Sequence, residues 1–207
     1  MPRPMKLYNH ALAPNPRRVR IFATEKGIEL LLEDIDILAG QSRTPEFLVK
    51  NSSGGVPVLE LDDGSCLSES VAICRYLEGL HPEPNLLGRD LREQAEIERW
   101  NRRMELELFA AIGRTVQNTS PIFAGRFKQF PDYGETQRAV VYQRLERMDR
   151  ELNGNEFVAG DRFTIADITA LVAIDIGDRL ADIKIPPELP HLSRWHQAVS
   201  SRPSAKA

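Results

Sequence analysis

The sequence predicts an α+β domain followed by an all-helical one. Three observations carry that prediction. Up to residue 80, short apolar runs of strand length alternate with segments of helical period. Residues 81–90, HPEPNLLGRD, hold two prolines and show no period. From Leu91 onward the apolar residues recur at helical spacing and nothing reads as a strand. The boundaries that follow are a first domain over 4–82, a linker over 83–90 and a helical domain over 91–207. The first domain is expected to hold a mixed four-stranded sheet with helices packed on it.

Each element has its own signal. MKLY (5–8) reads as a short strand, and NPRRVRIFATEKG (15–27) as a helix with Asn15 as N-cap, Pro16 at its first position and Gly27 as its stop. ELLLEDIDI (29–37) is strand-like, and TPEFLVKN (44–51) a short helix. PVLEL (57–61) leads through Asp62-Asp63-Gly64 to a short strand ending near Leu67, because an Asp-Gly turn supplies the positive φ a tight hairpin demands. A helix from Ser68 or Glu69 to Leu80 completes the first domain. In the second, helices are predicted over about 90–118, 135–152 and 164–178, with a last one after Pro190. FTIADIT (163–169) carries a capping signature: Thr164 as N-cap, Asp167 reaching back, Phe163 stapled onto Ile168.

Composition excludes several classes. The formal net charge is −3, and the basic runs Arg17-Arg18-Val19-Arg20 and Arg99 to Arg103 alternate with apolar or acidic residues. These read as solvated helix faces, so no nucleic-acid partner is expected. No apolar run approaches the ~18 residues a membrane span needs, and MPRPMKLY lacks the apolar core of a secretion signal. A cytoplasmic location follows, with no membrane partner. Cys66 and Cys74 form neither a CxxC pair nor a zinc set and are read as buried thiols. The four histidines show no metal-ligand spacing, so neither a metal nor a resident cofactor is expected.

The stretch GGVPVLELDDGSCLSES (54–70) asks for more than a fold. Proline cannot donate to a sheet ladder. A cis bond before Pro57 would leave the Val56 N–H and C=O unpaired at the sheet edge, where an extended peptide pairs like an added strand. Ser68-Glu69-Ser70 then opens a helix, whose free N–H groups attract a carboxylate. Ser70 adds a hydroxyl donor, and Glu69 offers a carboxylate to an ammonium group. A carboxylate and an ammonium one carbon apart define an α-amino-acid end. Strand-edge pairing beside an amino-acid clamp describes a γ-glutamyl peptide, glutathione.

With these residues in place, the sequence resembles the cytosolic glutathione S-transferases over nearly its whole length. The motifs are LYNHALAPNPRRVRIFATEKGI, PEFLVKNSSGGVPVLELDDGSCLSES, FVAGDRFTIADITAL and the C-terminal RPSAKA. The resemblance implies a thioredoxin-like first domain, an all-α second domain and a two-fold homodimer. It implies that Val56 and Pro57 meet the cysteinyl backbone of glutathione, the co-substrate, while Glu69 and Ser70 hold its γ-glutamyl end. The loop AGQSRTPEFL brings Gln41, Ser42 and Arg43 as candidates for the glycine end. An electrophilic, apolar small molecule is the implied second substrate, and Arg114, Gln117 and Asn118 are candidates to face the glutathione sulfur. QNTSPIFAGRFKQFPDY (117–133) bunches Phe123, Phe127, Phe130 and Tyr133, either over a cleft or as packing between helices.

One position departs from the family pattern. Where the serine-type members carry their sulfur-activating hydroxyl, this chain has Ala13, followed by Pro14-Asn15-Pro16. This resembles the atypical fungal and bacterial branches. Asn15 is the candidate catalytic group, as a donor to the glutathione sulfur, or it serves only to cap its helix. The activity implied is transfer; glutathione-dependent disulfide or peroxide reduction, or binding without turnover, remain the alternatives.

Overall fold

A computed structural model describes residues 5–207. Residues 1–4, which include the start assigned to the first domain and half of MPRPMKLY, lie outside the described residues. The chain divides into two compact units, one running to Asn85 and also including Pro203–Ala207, the other Leu86–Arg202. The sequence reading assigned the last five residues to the helical domain. They pack in the first unit instead, because Arg17 Nη2 donates to the Ala205 carbonyl at 2.9 Å and the Ser204 hydroxyl donates to the Glu25 carboxylate.

The first unit is β1 (Lys6–Asn9), α1 (Pro14–Glu25), β2 (Leu31–Asp34), α2 (Pro45–Lys50), β3 (Val58–Glu60), β4 (Cys66–Ser68) and α3 (Ser70–Leu80). Its mixed sheet has the order β2-β1-β3-β4, with β1 parallel to β2 and antiparallel to β3. This is the thioredoxin-like arrangement. Alternation decides the two faces. Tyr8 pairs with Val58 and joins Ile35 and Phe47 in a small core beside α2. Leu7 pairs with Leu59, and both are completely buried, as are Val19 and Phe22 of α1 and Ile73 and Leu77 of α3. Side chains of this size contribute about 1.5–3 kcal/mol each on burial, so the α1–α3 face anchors the unit.

Two boundaries differ from the sequence reading. α1 starts at Pro14 with Ala13 as its N-cap, and Asn15 lies within the first turn rather than capping it. Ala13 precedes a proline and is therefore extended, at φ −79° and ψ 136°, while its carbonyl already accepts from Arg17 N at 3.2 Å. β2 is only four residues long and exposed throughout; it is one of the two outer strands of the sheet.

The second unit is α4 (Leu91–Arg103), a π-helical segment (Met104–Phe109), α5 (Ala110–Thr119), α6 (Pro131–Glu151), α7 (Ile165–Ala181) and α8 (Pro190–Ser200). The sequence predicted one helix over 90–118, and the π turn interrupts it. The buried series Met104, Leu108, Ile112, Val116 steps by four residues. With Asn101, Ala111 and Thr115, also buried, it keeps one face inward through the π segment. α6 crosses α5 so closely that a Cβ on Gly134 would lie 2.6 Å from the Thr119 side chain.

α7 is buried along most of its length and begins with the predicted capping box. Thr164 N donates to Asp167 Oδ2 at 2.9 Å, and Ala166 N donates to Thr164 Oγ1 at 3.3 Å. Asp167 Oδ1 also accepts from Val158 N and from the Trp195 indole, each at 2.8 Å. Burial pushes the Asp167 carboxyl up, and these bonds oppose that shift. No described helix is long and apolar enough to cross a membrane.

Candidate functional site

The pairing of the strands gathers four loops at one end of the first unit. β1 ends at Asn9, opposite the end of the parallel β2 at Asp34. β3 runs the other way, so its first residue, Val58, lies beside Tyr8. Val58 also pairs with Ser68, the last residue of β4. The loops after β1, after β2, before β3 and after β4 therefore share the carboxyl end of β1. Asn15, Gln41, Ser42, Arg43, Val56, Pro57, Glu69 and Ser70 all belong to those loops or to the helix turns that follow them.

Before β3, the fully local chemistry of Asn51-Ser-Ser-Gly-Gly shapes the chain. Asn51 is buried, its Nδ2 donates to Gly55 O at 2.9 Å, and its Oδ1 accepts from Ser53 N at 3.1 Å. Gly54 has φ +63°, and a Cβ there would lie 2.7 Å from Arg43 Nη1. The Val56–Pro57 bond is cis. Among the described residues, the Val56 N–H and C=O make no hydrogen bond. A strand edge is open at that residue.

After β4, Glu69 stands at φ +69° and ψ 112°, a conformation that costs a residue with a Cβ about 1–3 kcal/mol. Its side chain is exposed and caps nothing. Ser70 is the first residue of α3 and is 6% exposed. Its Oγ accepts from Arg18 Nη1 at 2.8 Å. A hydroxyl that accepts from a guanidinium keeps its own proton for another acceptor.

Pro14 and Pro16 have no N–H, so Asn15 holds the only backbone donor of the first three α1 positions. Asn15 is exposed, and among the described residues its amide side chain makes no hydrogen bond. Tyr8, by contrast, turns into the core: it is 3% exposed and its hydroxyl donates to Glu60 Oε2 at 2.5 Å.

The remaining candidates divide. Gln41 Oε1 accepts from Asp36 N at 2.7 Å, Arg43 Nη1 donates to Ser53 O at 2.8 Å, and Ser42 is buried. Gln41 and Arg43 thus spend part of their bonding on bracing the loops. Gln117 and Asn118 belong to the second unit. Gln117 is exposed, whereas Asn118 donates to Arg114 O at 2.8 Å and accepts from Phe130 N at 2.9 Å, which occupies both ends of its amide. In the same unit Ile122, Phe127, Phe130 and Tyr133 are 40–53% exposed, and Phe123 stacks on Phe127 at 5.5 Å. This cluster is a surface patch and not packing between helices.

Sequence reasoning missed Arg18. It read 17–20 as a solvated face, yet Arg18 is completely buried and Arg20 donates to the Asn9 side chain and to Ala11 O. It also missed Asn51, whose Asn-Ser-Ser-Gly run is a turn signal. Among the described residues, no group of three or more His, Cys, Asp or Glu side chains is placed to hold a metal.

Comparison with known proteins gives the same picture. Residues 3–79 match the model of the glutathione S-transferase N-terminal domain, and residues 116–203 that of the C-terminal domain. Glutathione S-transferase 2 of Saccharomyces cerevisiae is 34% identical over all of this chain and 90% of its own length. The crystal structure of a glutathione S-transferase domain-containing protein of Marinobacter aquaeolei VT8 superposes with a TM-score of 0.91 at 38% identity, covering 96% of this chain and 98% of that one. A probable elongation factor 1-gamma 1 of Arabidopsis thaliana is 31% identical over 79% of this chain and 38% of its own length.

Proposed function

We propose, from the premise that the chain belongs to the glutathione S-transferase family, that it binds glutathione at the carboxyl end of β1 and directs its thiolate onto an electrophilic carbon of an apolar small molecule. The observation that carries this reading is the unpaired backbone of Val56 beside the Ser70 hydroxyl at the mouth of α3. Val56 takes the cysteinyl backbone by strand-like pairing. Ser70 donates to the γ-glutamyl carboxylate at the helix N-terminus, and Glu69 takes the ammonium. Its left-handed backbone is the kind of conformation held where function requires it. Gln41, Ser42 and Arg43 lie in the loop that serves the glycine end.

In the reaction the thiol proton passes to solvent, the sulfur lone pair forms the new C–S bond, and the leaving group departs with the electrons of the bond it held. A thiol near pKa ~8.5 is only a few per cent ionised at neutral pH, so the site must favour the anion. The α1 N-terminus contributes about 0.3–2 kcal/mol to a nearby negative charge. A hydrogen bond from Asn15 to the sulfur adds about 1.5–3 kcal/mol. Since a pKa unit corresponds to about 1.4 kcal/mol, the two together bring the thiol to neutrality or below. The exposed, unengaged amide of Asn15 supports that role over capping. The exposed aromatic patch of the second unit favours apolar electrophiles. A two-fold homodimer in the cytoplasm completes the reading.

Calorimetry of the purified chain with glutathione tests it: saturable heat at millimolar glutathione is expected, together with turnover of a chloro-dinitroarene. A second reading, glutathione binding without turnover, is favoured by Ala13 and by the elongation-factor relative. Saturable binding with no turnover of either the arene or a small disulfide would select it. Turnover of the disulfide alone would select reduction instead.

A further inference from the structure

Arg18 lies on the α1 face that packs on α3, is completely buried, and donates to Ser70 Oγ at 2.8 Å. A methionine or leucine would fill the same seam without the cost of desolvating a guanidinium. One function of the guanidinium is its bond to the Ser70 hydroxyl. A guanidinium only donates, whereas a hydroxyl has one proton and two acceptor sites. With Arg18 filling one acceptor site, the Ser70 proton is free to point elsewhere.

We infer that Arg18 is a positioning residue for glutathione: it sets the Ser70 hydroxyl as a donor to the γ-glutamyl carboxylate and places positive charge behind the first turn of α3. The inference rests on the reading that Ser70 holds that carboxylate. The same guanidinium reaches one turn further along α3: burial, with Glu78, pushes the Cys74 thiol up to about 12, and Arg18 opposes that shift. In that buried seam a charge acts on a ligand anion more strongly than one in water would.

A double-mutant cycle on the glutathione Kd, read by calorimetry, tests the inference. Arg18→Met and Ser70→Ala are each expected to weaken binding about ten-fold, and the double variant about ten-fold as well, where independent groups would give about a hundred-fold. Arg18→Lys keeps the charge and is expected to recover part of the loss. Losses that multiply, or an Arg18→Met variant that binds as the wild type does, overturn the inference. Should Arg18→Met not fold, the cycle of Arg18→Lys with Ser70→Ala is read in the same way. A wild-type chain without saturable heat removes the site reading and this inference together. A wild type that binds, with variants that multiply, removes the inference alone.

Discussion

The indole Nε1 of Trp195 donates to Asp167 Oδ1 at 2.8 Å, joining α8 to the start of α7 across 28 residues of chain. The same carboxylate takes the Thr164 and Val158 N–H groups, so one buried side chain ties two helices and a loop. Its removal leaves three buried donors unsatisfied, each costing about 1–3 kcal/mol. Asp167→Ala is expected to lower the unfolding free energy of the helical unit by about 3 kcal/mol or more, measured by urea titration of Trp fluorescence. A loss under about 1 kcal/mol would show that the carboxylate is not the tie.

The Tyr8–Glu60 bond makes a pH prediction. The Tyr8 hydroxyl, then Lys50, hold the Glu60 carboxyl below its ordinary 4.5. The folded chain thus prefers the ionised form, and its contribution is complete above 4.5 and fades as pH falls through the lower, folded value. Tyr8 is shifted the other way: burial, then Glu60, raise its hydroxyl above 10.0, so its contribution is complete below 10.0 and fades on the alkaline side. Tyr8→Phe is expected to flatten both limbs of the Tm-against-pH curve. Limbs unchanged from the wild type would count against the bond.

If the proposed site holds glutathione, Asn15→Ala is expected to raise the pKa of the bound thiol by about one unit or more, the equivalent of a charged hydrogen bond. Thiolate absorbance in the ultraviolet, followed across pH with glutathione saturating, reads this directly. Because Asn15 caps nothing and is exposed, Tm should stay unchanged. An unmoved thiol titration would take Asn15 out of the mechanism.

Phe127 and Phe130, 46% and 53% exposed, form the apolar patch ahead of α6. Their joint replacement by Ala is expected to abolish binding of an apolar fluorescent dye to the helical unit while Tm falls by no more than a few degrees. A large drop in Tm with dye binding intact would make these rings structural.

How much of this was legible in the chain depends on the reach of each interaction. The β-α-β-α-β-β-α order, the Thr164–Asp167 capping box and the break at Val56-Pro57 rest on neighbours a few residues apart, and they could be read directly. The start of α1 was misplaced by two residues, with the N-cap at Ala13 and not Asn15. Asn15 is the better capping residue by composition, but the proline before it draws the helix back to Pro14. Arg18 was illegible for a different reason. In a run of three arginines nothing local marks the middle one as buried, and Ser70, its partner, lies 52 residues away. The engagement of Asn118 is likewise beyond local reading, because the group that donates to its Oδ1, Phe130 N, lies 12 residues on.

The docking of Pro203–Ala207 against α1 has a consequence for biogenesis. The sheet-bearing unit is discontinuous: its Pro203–Ala207 piece is translated only after the entire helical unit has been synthesised. The nascent chain must therefore hold α1 without its Ala205 and Ser204 contacts for more than half of synthesis. Ribosome-bound fragments ending before residue 203 should expose α1 to proteolysis that the finished chain resists.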